Sequence, residues 1–324
     1  MSWLLTVSGK EGASRARHMC TAPVTITLKT PTAMQLPRIT EHLSSWQADP
    51  WAGHLHPGDL GWRTLVGAGG AALSLRVWSR EDRPVAVGMV DDGVLRMALD
   101  PAVTDDELLV DRIAEDLGDP ESGLFGRGEA LVEARGAHAL RSRLQADGWT
   151  EDDPWTPLIC DLTGALDLSP LERTGLRIEQ VGLEAAETWT GIHWSAFRGT
   201  PYDERARDRF VRLWSTMMTG PLADRALNLI GYEADGEPVA IATVWTAGHG
   251  RPGLIEPLGV HRDHRGHGYG RAITVAAARA LQDAGASSAN VATENSRPAA
   301  IATYLSAGFR SLGTVTDLRR PQQA

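Results

Sequence analysis

The chain repeats itself once, and that repeat limits the fold more than any other feature of its 324 residues. Ala139-Leu-Arg-Ser-Arg-Leu-Gln-Ala-Asp-Gly-Trp149 lies against Ala299-Ala-Ile-Ala-Thr-Tyr-Leu-Ser-Ala-Gly-Phe309. Both read as short amphipathic helices closed by a glycine, which permits the left-handed turn at a helix end. In both, an aromatic residue then opens a strand. The two halves begin alike as well. Val24-Thr-Ile-Thr-Leu28 and Leu176-Arg-Ile-Glu-Gln180 read as strands, and helix-like stretches follow at 36–46 and 184–194. Each half then has a hairpin candidate, 73–77 with 85–89 in the first and 228–232 with 239–245 in the second. Pro157-Leu-Ile-Cys-Asp-Leu162 and Val315-Thr-Asp-Leu318 end them. The pattern predicts two copies of one α+β domain, over 22–165 and 174–320. A linker at 166–173 joins them, and a flexible arm at 1–21 precedes them.

Composition narrows the function. Apolar residues make up 42% of the chain and charged residues 23%, enough for two cores and too apolar for wholesale disorder. The formal net charge of −9 argues against a general nucleic-acid binder and requires any phosphate site to be local. Cys20 and Cys160 are too few for a disulfide framework or a thiolate metal cage. No apolar run reaches the ~18 residues of a membrane span, and the opening residues lack the apolar core of a secretion signal. The expectation is a cytoplasmic protein without membrane or nucleic-acid partners, monomeric or a homodimer.

Chemistry concentrates in Gly253-Leu-Ile-Glu-Pro-Leu-Gly-Val-His-Arg-Asp-His-Arg-Gly-His-Gly-Tyr-Gly-Arg271. An apolar strand runs to Val260, a basic loop holds Gly266, Gly268 and Gly270, and a helix begins near Ala272. Strand, glycine loop and helix make an anion-binding geometry, because bare backbone N–H groups and the positive helix end both face the ligand. Arg265 and Arg271 add charge of the right sign. A dinucleotide fingerprint fits poorly: the loop comes late in its half, and no acidic residue ends a second strand about 20 residues on. No Gly-Lys-Ser/Thr follows, so a Walker loop is excluded. His261, His264 and His267 invite a metal reading, but on a glycine loop they share no face and no carboxylate or thiolate completes a set. No metal is expected.

Arg265-x-x-Gly268-x-Gly270, followed by Asn295 and by Tyr304 ahead of Gly308-Phe309, resembles the acyl-CoA loop and the asparagine–helix–Tyr–Gly-Phe element of the GNAT N-acetyltransferase superfamily. The resemblance covers most of 174–320, and the first half matches in outline. It implies two tandem GNAT-like domains, each a mixed, largely antiparallel sheet flanked by helices. It also implies an acetyl-CoA-dependent N-acetyltransferase that transfers acetyl to a small-molecule amine by direct attack on the thioester. A protein or peptide amine as acceptor, or a non-catalytic acyl-CoA-binding module, are the alternatives. Acetyl-CoA, the co-substrate, would lie against Leu258, Gly259, Val260, Arg265, Gly266, His267, Gly268, Tyr269, Gly270, Arg271 and Asn295. Pro257 suits the irregular strand that pantetheine needs, since it cannot donate to a normal ladder. Tyr304 stands at the family's general-acid position, though a packed helix tyrosine would also suit it. Glu256, placed by period-two alternation on one face with Leu258 and Val260, is the candidate base; it could equally bind a cationic substrate.

The first half has lost these features. Its loop, Leu99-Asp-Pro-Ala-Val-Thr-Asp-Asp-Glu-Leu-Leu109, aligns Asp105, Asp106 and Glu107 with Gly266, His267 and Gly268, and Leu144 falls opposite Tyr304. Negative side chains oppose anion binding, so this half is expected to be non-catalytic and to pack on the second or wall its pocket. Trp194, Phe197, Tyr202, Asp203 and Glu204 are expected near the acceptor, with Trp189 in the core.

Overall fold

The structure, a computed structural model, describes residues 25–51, 53–126 and 128–321. The arm expected over 1–21 lies outside them. The first half runs β1 (Ile26–Lys29), α1 (Leu36–Ser45), α2 (Pro57–Arg63), α3 (Gly67–Ser74), β2 (Leu75–Arg80), β3 (Arg83–Asp91), β4 (Val94–Leu99), α4 (Glu107–Gly118), β5 (Leu131–Glu133), α5 (His138–Ala146) and β6 (Thr150–Asp161). A short helix follows, α6 (Ser169–Thr174), which takes up much of the expected linker at 166–173 and ends one residue past it. The second half repeats the order with one helix fewer after its first strand and one short strand more near its end: β7 (Arg177–Val181), α7 (Ala186–Phe197), α8 (Glu204–Met218), β8 (Ala226–Tyr232), β9 (Pro238–Trp245), β10 (Gly253–Val260), α9 (Tyr269–Asp283), β11 (Ser288–Glu294), α10 (Pro298–Ser306), β12 (Arg310–Ser311) and β13 (Val315–Arg319). The first hairpin begins later than its sequence pattern predicts. Leu73 and Ser74 finish α3, because the alanine-rich turn before them packs as helix.

The repeat survives in detail. Trp149 N–H donates to Leu144 O at 3.0 Å, and Phe309 N–H to Tyr304 O at 3.1 Å. Gly148 and Gly308, at φ +90° and +94°, close the two helices with left-handed turns. The α+β class and the mixed, largely antiparallel sheet are as expected. Among the described residues, only β4 with β5 and β10 with β11 run parallel.

One difference matters for function. The halves share a single sheet, ordered β1-β2-β3-β4-β5-β13-β6-β11-β10-β9-β8-β7. Each half gives its last long strand to the other. β6 pairs with β11 from Ser288–Asp161 to Glu294–Trp155, and β13 pairs with β5 at Leu318–Val132. The seam is packed closely. Gly58 and Gly61 on α2 face the Trp245 ring, where a Cβ would come within 2.6 and 2.2 Å of it, so only glycine lets α2 approach. Beside them the His56 ring bridges the halves. Its Nδ1 accepts from Gly58 N–H, and its Nε2 lies 3.0 Å from Pro252 O. Burial pushes this histidine down to about 4, so the ring is neutral and Nε2 carries the donated proton. Among the described residues, no helix is long and apolar enough to cross a membrane.

Candidate active site

The site starts from an irregularity in β10. Against β9 its register shifts between Ile255 and Leu258, and against β11 its ladder stops at Leu254–Asn290. Beyond that point β10 and β11 diverge while β11 stays paired with β6. The Trp245 indole donates to Glu256 O at 2.7 Å and holds the shifted segment. The shift corrects the expected side-chain alternation. Leu254 packs with Trp245 in one core, whereas Leu258 and Val260 pack with Ile255 in the other. Glu256 therefore does not share a regular strand face with Leu258 and Val260; it projects from the bulge into the gap.

A cleft of about 620 Å³ runs from that gap beneath the glycine loop. Leu258, Gly259, Val260, Arg265, Gly266, Gly268, Tyr269, Gly270 and Arg271 all line it. Gly268 is the N-cap of α9 at φ +85°, and no side chain caps the helix there. The first N–H groups of a 15-residue helix therefore open into the cleft. Gly270 lets α9 meet α10, since a Cβ would lie 3.3 Å from Thr303. The loop is braced from behind: Glu233 holds His264 Nδ1 at 3.0 Å and the Tyr269 hydroxyl. Arg265 donates to Ala196 O at 2.9 Å, tying the loop to the end of α7.

A second cavity, of about 310 Å³, fills the gap between β10 and β11 and meets the cleft at Phe197, Leu258, Arg297, Ala300 and Tyr304. Much of its wall comes from the first half: Trp51, Asp59, Arg96, Glu133, Arg135 and Trp155. Those charges form one network. Arg96 donates to Asp59 at 2.9 Å and lies 3.4 Å from Glu133. Arg135 grips Asp317 with two bonds of 2.9 Å and stacks over Trp155. The three carboxylates Asp59, Glu133 and Asp317 thus occupy both arginines. Glu256 joins a network already short of positive charge. Burial, then the charge of Asp59, pushes its carboxyl up to about 7 against the pull of Arg96. Burial, with Glu256 beside it, also raises the Tyr304 phenol, which stays protonated at neutral pH.

Two expected cofactor residues stand elsewhere. His267 is exposed outside the cleft and stacks on the Tyr269 ring. Asn295 sits on the turn after β11, where its Oδ1 accepts from Thr156 of β6. Of the expected acceptor residues only Phe197 reaches both cavities. Trp194 and Tyr202 pack on each other, Asp203 caps α8, Glu204 opens that helix, and Trp189 is core. His261 and His264 meet edge to face. The residues that sequence reasoning missed are the first-half wall. Their signal was faint but present, as charges in or just after otherwise apolar strands: Arg96 in Val-Leu-Arg-Met-Ala-Leu, then Glu133 at the end of β5 and Arg135 two residues past it.

The first half's loop also differs from its expected alignment. Asp106, not Glu107, stands where Gly268 stands, as the N-cap of its helix. Its carboxylate accepts from Leu109 N–H at 3.0 Å and from Arg80 at 2.8 Å. The anion position is filled by the chain's own side chain. Leu144 is fully buried in the core of that half.

Comparison with known proteins fits this geometry. Residues 186–309 match the acetyltransferase (GNAT) family model. No curated protein sequence matches the chain. Among solved structures, a tandem GNAT protein from the clavulanic acid biosynthesis pathway superposes with a TM-score of 0.58 at 15% identity, covering 93% of this chain and 99% of that one. A GNAT-family acetyltransferase from Colwellia psychrerythraea gives 0.55 at 15% identity, over 91% and 98%. A GCN5-related N-acetyltransferase from Sphaerobacter thermophilus gives 0.52 at 19%, over 91% and 95%. At these identities the superpositions establish the fold alone.

Proposed function

Residues 186–309 belong to the acetyltransferase (GNAT) family, and from that premise we propose that the chain transfers an acetyl group from acetyl-CoA to the amine of a small cationic molecule. The observation that carries this is the meeting at Tyr304 of two cavities, one running under the glycine loop and the other, recessed between the halves, holding Glu256. The cleft suits the co-substrate on physical grounds. The uncapped start of α9 and Arg265 attract a diphosphate. The backbone of Leu258, Gly259 and Val260, beyond the end of the β11 ladder, suits an extended pantetheine arm. When bound, acetyl-CoA supplies the activated acyl thioester. Gly266, Tyr269, Gly270 and Arg271 complete that wall. His267 and Asn295 take no part in it on this reading.

Glu256 is the base. A carboxyl near neutrality takes a proton from an ammonium group far more readily than an ordinary glutamate does. Tyr304, protonated and at the junction, is the donor for the leaving thiolate. Trp51, Trp155 and Phe197 give the acceptor cavity aromatic walls, and Glu256 is its carboxylate without a guanidinium partner, which together favour a cation. The recess between the halves favours a small molecule over a polypeptide. The first half is non-catalytic and belongs to the acceptor wall.

The test is thiol release from acetyl-CoA with 2-phenylethylamine, tryptamine, putrescine, glucosamine and an unstructured peptide. Turnover of one or more of the small amines, lost in Tyr304→Phe, supports the reading. Turnover of the peptide alone would replace it with a peptide acetyltransferase, and no turnover with tight acetyl-CoA binding would leave a binding module.

A further inference from the structure

Behind the acceptor cavity lies another chamber, of about 150 Å³, that shares Asp59, Arg96 and Glu256 with it. The rest of its wall comes from the first half, including Arg63, Val66, Met89 and Asp91. Arg63 and Asp91 pair at 2.9 Å, with side chains 31% and 40% exposed, and Val66 is 50% exposed. The chamber therefore opens to solvent on the first half's surface. Glu256 stands between two spaces, one facing Tyr304 and the coenzyme cleft, the other facing water.

We propose that the rear chamber is the outlet for the proton that Glu256 takes from the acceptor, so that the inactive half serves the reaction as its proton exit. The proposal rests on Glu256 being the base. An ammonium acceptor loses two protons in becoming an amide. One replaces the proton that Tyr304 gives to the coenzyme sulfur, and the other must reach solvent. With the acceptor between the aromatic walls and the coenzyme in its cleft, Glu256 keeps the rear chamber as its contact with water. A carboxyl that could not hand its proton on would serve a single turnover.

The chamber is built for this. It is polar and has room for several water molecules at about 30 Å³ each. The groups around Glu256 are Asp59 from α2, Arg96 from β4, Glu133 from β5 and Asp91 from the end of β3, with Tyr304 from α10 on the other side. Asp59 is engaged on both oxygens, by Arg96 and by His56 N–H at 2.7 Å. Asp91 sits at the chamber mouth, and is the positioning carboxylate that draws the proton outward. Each step breaks one O–H bond and makes another, from Glu256 to water and from water to Asp91 or bulk.

The experiment follows thiol and proton release together in the first turnovers, with acetyl-CoA and the best of the small amines named above. Val66→Trp narrows the mouth from an exposed position, and Asp91→Asn removes the outer carboxylate. In both, thiol should appear at the wild-type rate in the first turnover while proton release to an indicator dye lags. Steady-state kcat should fall about threefold or more with an enlarged solvent deuterium effect, and KM for both substrates should hold. If thiol and proton stay in step at wild-type rates in both variants while Glu256→Gln is slow, the outlet is wrong and the base stands. Should Glu256→Gln turn over at the wild-type rate, the base reading falls and the outlet with it. Inertness of every amine would remove the acceptor on which both depend.

Discussion

Glu256 and Tyr304 make predictions that part catalysis from stability. Tyr304→Phe should lower kcat by about 10²-fold or more while acetyl-CoA still binds, measured by turnover beside calorimetry. Because Glu256 works only when ionised, wild-type kcat/KM for the amine should rise with pH through about 7, and Glu256→Gln should flatten that rise. Stability should move the other way. The folded chain holds this proton more tightly than the unfolded chain, so the contribution is full below the ordinary glutamate range and is lost as pH rises through about 7. Glu256→Gln removes that loss, so its gain in Tm over wild type should be larger at about pH 8 than at about pH 5, as thermal melts would show. An equal gain at both would mean that the carboxyl titrates normally. Both residues were visible in the sequence, Tyr304 by its place before Gly308-Phe309 and Glu256 by its place on the strand that leads into the glycine loop. The direction in which Glu256 points was not, because counting by twos along a strand assumes a ladder that the bulge interrupts.

At the level of elements, the contrast between two helix starts decides which half takes the coenzyme. α9 begins at a bare glycine, and α4 begins at Asp106, which bonds its own helix and Arg80. Gly268→Asp should abolish acetyl-CoA binding in calorimetry, since it forces a side chain into a left-handed backbone and sets a negative charge where diphosphate would lie. Changing Asp105, Asp106 and Glu107 together to alanine should leave acetyl-CoA affinity nearly unaltered. The same variant should lose about 1 kcal/mol or more of stability in denaturant, because a helix cap and an ion pair go together. Loss of acetyl-CoA binding in it would place the coenzyme in the first half. Sequence spacing set the loop one residue out of register with its counterpart. The acidic first turn is a routine helix start, and only the points at which α4 and α9 begin identify Asp106 as the equivalent of Gly268.

For the whole molecule, strand exchange changes what a half can be. Residues 174–320 alone lack β6, so β11 would present an open edge beside the acceptor cavity. That fragment should aggregate or lack turnover when expressed by itself, and co-expression with 1–165 should restore a soluble complex on size-exclusion chromatography. A soluble, fully active fragment would show that β6 is dispensable. The exchange was illegible in the sequence for a simple reason. Pro157–Leu162 and Val315–Leu318 read as strands of one kind, and nothing in a strand's own pattern says which edge it will join. The same swap bears on how the protein comes into being. A ribosome delivers β5 long before β13, so the first half leaves the exit tunnel with its neighbouring edge bare. That edge can close only when nearly all the polypeptide has been made. A nonsense mutation late in the reading frame would therefore cripple the half translated first, the one farthest from the lesson written in its codons.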